Sequence, residues 1–479
     1  MEETYYHSMD SVPLEEIVKE EYRLYQIYTL MDRAIPYLQD GLKPSQRRIL
    51  YTLWRNQNKG LIKVSSLTGL VLTLHPHGPA SVESSVVNLA QDYTFSNNYP
   101  LIDKKGYFGE RMETSPAAGR YIECRLGKVA EAILFDDMNQ VEMVPNYDEK
   151  VMEPVHLLPK LPVMLLNGAE GIGTGFSSVI PSFHHKEIIK SMISVVQTGK
   201  PKKLHPWVRY YSNDLTETEG NRILFYANIV EEGGKFIINE LPRGYDASKI
   251  YRYLNKMMDK DVIKDYIDSS VDNHIHIELL FKKGKKPELE ELKRKMNIKS
   301  SLTPNYTLIS ERGVKILNKP EEIITIFTGQ RIAVVKQRYE LLIKDYTERI
   351  IKNNEIIRFI KEKHYAQAEK KQNRKAFVDY LGTKKFKHSD YLADMAIYRM
   401  TKEEVQKRQV LVKEESKKLA EFKKIAKSTA LIKKKLIEEL NEVDEKLTKI
   451  MSDKEREKDE VFKKTQGKSA KKKTRTRRR

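Results

Sequence analysis

The sequence predicts a multidomain α+β protein, and three textures along the chain predict it. Up to about residue 185, short helical patterns alternate with Gly/Pro punctuation. From about 186 to 320, short β-branched and aromatic runs recur between polar turns. Beyond 320, long proline-free helical patterns take over. At 479 residues, the chain is long enough for about two to four domains with sizeable cores.

The opening stretch, MEETYYHSMDSVPLEE, is acidic and lacks the apolar core of a signal peptide. Residues 1–30 are expected to form an N-terminal arm. No apolar run approaches the length of a membrane span. The single cysteine, Cys124, excludes an internal disulfide framework and disfavours a thiolate zinc site, so a cytoplasmic location is expected. Lys and Arg total 86 against 67 Asp and Glu, a net charge of +19. That surplus favours a polyanionic partner, nucleic acid above all, although a solvated lysine-rich surface would have the same composition.

Within 31–185, the stretch 65–92 places two short helical patterns on either side of a tight HPHGP turn. Pro79 suits a first helical turn, and Val82, Val86 and Leu89 fall on one face. Ser81, Ser84 and Ser85 sit where a helix N-terminus meets phosphate. The pattern is that of a helix-turn-helix whose second helix approaches DNA. His75 and His77 flank Pro76, but no acidic or histidine partner stands at a metal-ligand spacing, so a hydrogen-bonding or phosphate-contacting role is favoured over a metal.

Downstream, GYFGERMETSPAAGRYIECRL sets Arg120 beside Tyr121. A phenol titrates near ~10, so as a nucleophile it needs a base or neighbouring cations. RAIPYLQDGLKPSQRR supplies Arg33, Lys43, Arg47 and Arg48. Spacing alone does not say whether they converge on Tyr121. The loop NGAEGIGTGFSS at 167–178 suggests a phosphate cradle at first sight. Its glycine order is not that of the dinucleotide fingerprint, and Pro181 follows too soon for a long helix.

ILFYANIV, KFIINEL and HIHIELLF mark 186–320 as a mixed α/β domain. LNKPEEIITIF then opens a long helix, in which Val335, Tyr339, Leu342 and Tyr346 keep a four-three-four spacing. Leu436, Leu440, Val443, Leu447 and Ile450 keep the same seam in a second helix, expected over about 401–450. Together they predict an antiparallel coiled-coil arm over 321–450. The apolar segment between the helices, FVDYLGTKKFKHSDYLADMAIYRM, predicts a small globular tip at about 366–400 rather than a plain spacer. The lysine- and arginine-rich stretch 451–479 is expected to be a disordered tail that anchors electrostatically on DNA.

RAIPYLQDGLKPSQRR, HPHG, NLAQDYTFSNN with GYFGER, AAGRYIECRL and NGAEGIGTGFSSVIP occur in the order of the type IIA DNA topoisomerase breakage-reunion region, and together they resemble it over about 33–181. LNKPEEIITIFTGQR and YLADMAIYRMTKEEVQK resemble the start of its coiled-coil arm and its exit gate. The resemblance implies a winged-helix DNA-binding domain (31–185), a tower domain (186–320) and a coiled coil ending in a dimer gate. It makes Tyr121 the nucleophile that forms a transient 5′-phosphotyrosyl link. Arg120 and Arg33 correspond to the arginines beside the scissile phosphate, and His77 to the histidine of that site. His75, Lys43, Arg47 and Arg48 fall at DNA-contacting positions, and Ser81 is expected to join them from its place at the helix N-terminus. Ile172 corresponds to the wedge that enters the base stack, its flanking glycines letting the backbone approach the duplex.

No TOPRIM metal site or GHKL ATPase motif is found in the chain. The resemblance therefore implies a separate ATPase/TOPRIM subunit carrying ATP and most of the Mg²⁺ ligands, acting with a homodimer of this chain. Only a basic tail follows the coiled coil, so relaxation and decatenation are expected rather than gyrase-type supercoiling. Pro79-Ala80 and Ser84 replace the groups that anchor quinolones, which implies weak sensitivity. The wording of NLAQ…SNN and GAEGIGTGFSS is closer to eukaryotic and tailed-phage enzymes than to bacterial ones. A separate short subunit then points to a tailed-phage medium subunit, with a short bacterial topoisomerase IV cleavage subunit as runner-up. The rival reading is a non-enzymatic DNA-binding architectural protein that dimerises through its coiled coil. A tyrosine recombinase or relaxase would need an Arg/His/Arg set or a histidine triad that is not evident.

Overall fold

The computed structural model describes residues 14–284 and 286–476. The chain divides into two compact units, one comprising residues up to Gln330 together with those from Glu439 onward, the other Arg331–Glu438.

The first unit contains a three-helix, three-strand module built around the HPHG turn. Helix α1 (Pro44–Arg55) starts where Pro44 supplies a preset φ and Gln46 Oε1 accepts from the Lys43 N–H at 3.0 Å. Strand β1 (Ile62–Lys63), helix α2 (Val64–Val71) and helix α3 (Pro79–Ala90) follow, then strands β2 (Ile102–Lys105) and β3 (Glu123–Leu126). The strands pair antiparallel in the order β1-β3-β2, so the last strand in sequence is central. That order, with the loop 106–122 joining β2 to β3, is the topology of a winged helix. Val82, Val86 and Leu89 are buried, as the periodicity predicts, and so are Ile49, Leu53, Val64 and Leu67 of the neighbouring helices. Strands β4 (Ala169–Ile172) and β5 (Ser177–Ile180) make a hairpin from the glycine-rich loop.

The two largest sheets of the strand-rich segment are antiparallel. Strands β6 (Thr216–Glu219), β7 (Arg222–Tyr226), β8 (Asn228–Glu232) and β9 (Lys235–Glu240) precede helix α4 (Ala247–Asp259). Strands β10 (Asp265–Asp268) and β11 (Ile277–Leu280) precede helix α5 (Leu289–Met296) and β12 (Lys299–Leu302). One sheet runs β8-β9-β11-β10, the other β12-β7-β6. Helices α4 and α5 pack Ile250, Leu254 and Leu292 onto Phe236, Ile238 and Ile277 of the four-stranded sheet.

In the second unit, helix α6 (Pro320–Lys361) and helix α9 (Lys402–Ala426) run antiparallel, joined through α7 (Arg374–Thr383) and α8 (Ser389–Ala393). Tyr346 meets Phe422 edge-on at 5.2 Å, Arg349 pairs with Glu415 at 2.7 Å, and Arg408 donates to Asn353 at 2.6 Å, so rising numbers on one helix meet falling numbers on the other. Ile356, Phe359, Phe377, Leu381, Phe386 and Leu392 bury a small core at the tip. Ile397 and Tyr398, a few residues further along, stand 83% and 74% exposed.

Two expectations change. The return helix is not continuous: α9 ends at Ala426, and Ser428 Oγ accepts from the Leu431 N–H at 3.3 Å to begin helix α10 (Thr429–Thr476). Helix α10 also continues through the stretch where a disordered tail was expected. Met451 is buried, Lys454 pairs with Asp103 at 2.9 Å and Lys458 with Asp92 at 3.0 Å, so carboxylates of the winged helix tether the next turns. Residues 1–13 of the expected arm and 477–479 of the tail lie outside the described residues.

Candidate DNA-cleavage site

Tyr121 sits at the C-terminal end of the wing, one residue before the buried Ile122 that leads into β3, with its side chain in solvent (65% exposed). The Ser65 N–H donates to Gly119 O at 3.2 Å and the Val64 N–H to Ile122 O at 3.1 Å, which fastens the tyrosine's flanks to the start of α2. A Cβ on Gly119 would lie 2.1 Å from Glu83 Oε1 of α3, so that carboxylate would have to swing aside to admit one. The Arg120 guanidinium lies 4.7 Å from the centre of the Tyr121 ring. The Tyr121 hydroxyl has no hydrogen-bond partner among the described residues. At its other end the wing is anchored in the strand-rich segment. Buried Arg111 donates to the carbonyls of Tyr245, Leu241 and Pro242 at 2.6, 2.9 and 3.1 Å, and Met112 joins the core beneath α4.

A second group surrounds His77. The Arg33 Nη2 lies 2.9 Å from His77 Nδ1, and Asp32 Oδ2 and the Tyr28 hydroxyl lie 3.1 and 3.2 Å from Nε2. The His75 ring meets that of His77 edge-on at 4.7 Å. His75 itself is buried, and Arg48 Nη1 donates to its Nδ1 at 3.1 Å. Burial, then the Arg48 and His77 charges, push the His75 pKa down to about 4, so at neutral pH the ring is the acceptor this contact needs. No hydrogen bond joins this group to Tyr121 among the described residues.

Three of the expected DNA contacts have their polar groups engaged within the protein. Arg47 is 6% exposed and forks onto the fully buried Asp40 at 2.6 and 3.2 Å, while Asp40 also accepts from the Leu42 and Leu157 N–H groups. Arg48 forks onto Glu153 at 2.6 and 2.9 Å. With His75 they form the module's buried polar framework, in which the two arginine charges are paired with Asp40 and Glu153. Asp40 stands seven residues before Arg47 in the sequence. Glu153, 105 residues from Arg48, could not be paired with it by inspection. Asp32 and Tyr28, which hold His77, likewise give no signal in the sequence.

The remaining expected contacts keep an accessible or partly accessible place. Ser81 is exposed on the first turn of α3, its hydroxyl donating to Gly78 O at 2.8 Å. Lys43 Nζ donates to the Glu170 carbonyl at 2.8 Å, and desolvation draws its pKa below the usual lysine value. The Glu170 carboxylate is ion-paired with Arg243. Ile172, at the end of β4, is 89% exposed. The glycines beside it also serve a contact within the protein. A Cβ on Gly171 would lie 1.9 Å from the Ala34 carbonyl oxygen, and one on Gly173 2.4 Å from Leu30 Cδ2. Their smallness lets the hairpin seat on the protein itself, whatever the duplex requires.

The family model for the DNA gyrase/topoisomerase IV A-type subunit matches residues 33–441. The chain belongs to that family. It is 32% identical over 370 residues to the mitochondrial DNA topoisomerase 2 of Dictyostelium discoideum, covering 74% of this chain and 28% of that protein. It is 28% identical over 473 residues to the A-type subunit of DNA gyrase from Chlamydia muridarum, covering 90% of this chain and 56% of that one. The crystal structure of the Plasmodium falciparum topoisomerase II DNA-binding, cleavage and re-ligation domain superposes with a TM-score of 0.80 at 26% identity, covering 92% of this chain and 65% of that one. The chain thus spans from about a quarter to just over half of these two curated relatives. Its fold is that of a type II topoisomerase cleavage–religation region.

Among the described residues no helix is long and apolar enough to cross a membrane. Nor do any three or more His, Cys, Asp or Glu side chains among them gather to hold a metal ion. Asp32, the carboxylate at His77, is already engaged by that ring and lies 3.7 Å from Arg48.

Proposed function

We propose that this chain is the DNA-cleaving subunit of an ATP-dependent type IIA topoisomerase, with Tyr121 as its nucleophile. The observation that carries the reading is the open Tyr121, fixed at the end of the wing with a guanidinium over its ring, in a chain of this family. The Tyr121 hydroxyl oxygen forms a bond to a backbone phosphorus as the bond from phosphorus to the 3′ oxygen breaks. The phenolic proton departs, and the released 3′-oxygen leaves as a hydroxyl. Religation is the reverse: the 3′-hydroxyl attacks the phosphotyrosine and returns the phenol. The bond energy is kept in the ester, so neither step consumes ATP.

Arg120 and Arg33 would neutralise the phosphate as charge gathers on its oxygens, with His77, held by Asp32 and Tyr28, keeping Arg33 in place beside it. Ile172 would enter a base step and bend the duplex. Two copies would cut opposite strands with a stagger, opening a gate for a second duplex. Mg²⁺ and ATP are assigned to a separate ATPase/TOPRIM subunit. The product is relaxed and decatenated DNA. Supercoils introduced into relaxed circles would contradict that part, and potent cleavage trapping by ordinary quinolone doses would contradict the weak sensitivity expected from Pro79, Ala80 and Ser84. In origin the chain would be a tailed-phage medium subunit.

Detergent-stopped reactions of the chain with such a partner subunit, Mg²⁺ and duplex DNA are expected to yield covalent protein–DNA adducts. Tyr121→Phe should abolish them while DNA binding stays intact. An undiminished adduct would place the nucleophile elsewhere, and no adduct from the parent chain would favour the architectural reading.

A further inference from the structure

The N-terminal helical segment ends in a five-residue π-turn, Leu30–Ala34, closed by the Ile35 N–H donating to the Leu30 carbonyl at 3.2 Å. Such wide turns are rare and cluster at functional sites. This one makes two sets of contacts. Leu30 and Ala34 seat the glycine hairpin: a methyl on Gly173 would lie 2.4 Å from Leu30 Cδ2 and 3.2 Å from Ala34 Cβ, and one on Gly171 would strike the Ala34 carbonyl at 1.9 Å. Asp32 and Arg33, from the same turn, hold His77 at 3.1 and 2.9 Å. Residues touching the hairpin therefore bracket residues touching His77 within five positions.

The surroundings make this turn a stiff element. Leu30 is 5% exposed and packs with Ile35 and Ile309, with Ala34 and Tyr37 against them. Close-packed apolar groups transmit a displacement rather than absorb it. The foot of the hairpin is fixed separately, by Lys43 on the Glu170 carbonyl and Arg243 on the Glu170 carboxylate. A load on Ile172 is thus directed through Gly171 and Gly173 onto Ala34 and Leu30.

We propose that the Leu30–Ala34 turn couples wedge insertion to cleavage, with Leu30 a positioning residue that sets Arg33 and His77 according to how the Ile172 hairpin is seated. The proposal rests on the reading of Ile172 as the wedge and of Arg33 and His77 as phosphate-site residues. DNA that is bent around Ile172 would then be presented to a correctly aligned Arg33–His77 pair, and unbent DNA would not.

The test uses size compensation in the full chain. Gly173→Ala adds the methyl that Leu30 obstructs, and Gly173→Ala with Leu30→Ala makes room for it. Diethylpyrocarbonate labelling of His77, followed by mass spectrometry on the chain without DNA or partner, reads the coupling directly. Gly173→Ala should change the His77 rate by about threefold or more, and the double variant should return towards the parent. Leu30→Val, which loosens the same seat without an added atom, guards against a Gly173 variant that does not fold and should also shift the rate. Unchanged labelling in both single variants would overturn the coupling.

With the partner subunit, Mg²⁺ and duplex DNA, Gly173→Ala should keep fluorescence-detected bending but lose about tenfold in cleavage, with recovery in the double variant. Loss of bending and cleavage together, without rescue, would also overturn it. If the parent chain forms no Tyr121 adduct, the functional reading fails, and the His77 labelling still decides the coupling.

Discussion

Two sets of residues that look alike in the sequence behave in opposite ways in the fold. Arg47, Arg48 and His75 lie in basic, histidine-bearing motifs, yet their polar groups are committed to Asp40, Glu153 and each other. Arg120, Tyr121 and Ile172 come from less conspicuous stretches, yet they stand in solvent. Positive charge in a motif is therefore not the same as unpaired charge here. What separates the sets is the presence of a buried carboxylate: a desolvated arginine that finds one becomes part of the framework.

Substitutions should separate the two sets. The largest effect is expected from Arg47→Ala, which strands the fully buried Asp40 and should cost ~3–5 kcal/mol of stability, seen as a lower denaturant midpoint. Should Arg47→Ala instead leave stability intact and weaken DNA binding, the division would be wrong. Ile172→Ala should do the reverse. Bending and cleavage are expected to fall about tenfold while stability stays within about 0.5 kcal/mol of the parent, because the side chain has little folded-state packing to lose.

A smaller effect comes from pH. His75 has a native pKa of about 4 against an ordinary 6.5. Between those values the unfolded chain takes up a proton that the native ring refuses. The stabilisation is therefore full above pH 6.5 and is lost as pH falls towards about 4. Burial also lowers His185 to about 4, so His75→Gln should flatten, not abolish, the fall in Tm over that range. A pH profile unchanged by the substitution would remove His75 from the buried framework.

Much of the architecture was legible because it rests on local periodicity. The face of Val82, Val86 and Leu89, the seam through Tyr346 and Leu436, and the apolar tip around Phe377 all follow from spacing. The helix break at 427–428 was not legible, since Ser428 acts there through a single cap on a strongly charged background. Nor was the helical path beyond Met451, which depends on Asp92 and Asp103 about 350 residues earlier in the chain. In the site, the family resemblance pointed to Tyr121, Arg120 and Ile172. The partners that decide which cations are free, Asp40, Glu153 and Asp32, are set by tertiary contacts. The glycines of 167–178 were legible as a demand for close approach, but not as an approach to Leu30 and Ala34.

The proposed function turns on whether Tyr121 exchanges a phosphodiester for a 5′-phosphotyrosyl bond. Mass spectrometry of the trapped adduct, after nuclease and protease digestion, reads that bond itself. The expected product is a nucleotide attached through its 5′ phosphate to Tyr121, in the peptide that contains Arg120-Tyr121. A nucleotide joined through its 3′ phosphate, or carried by any other residue, would contradict the assignment.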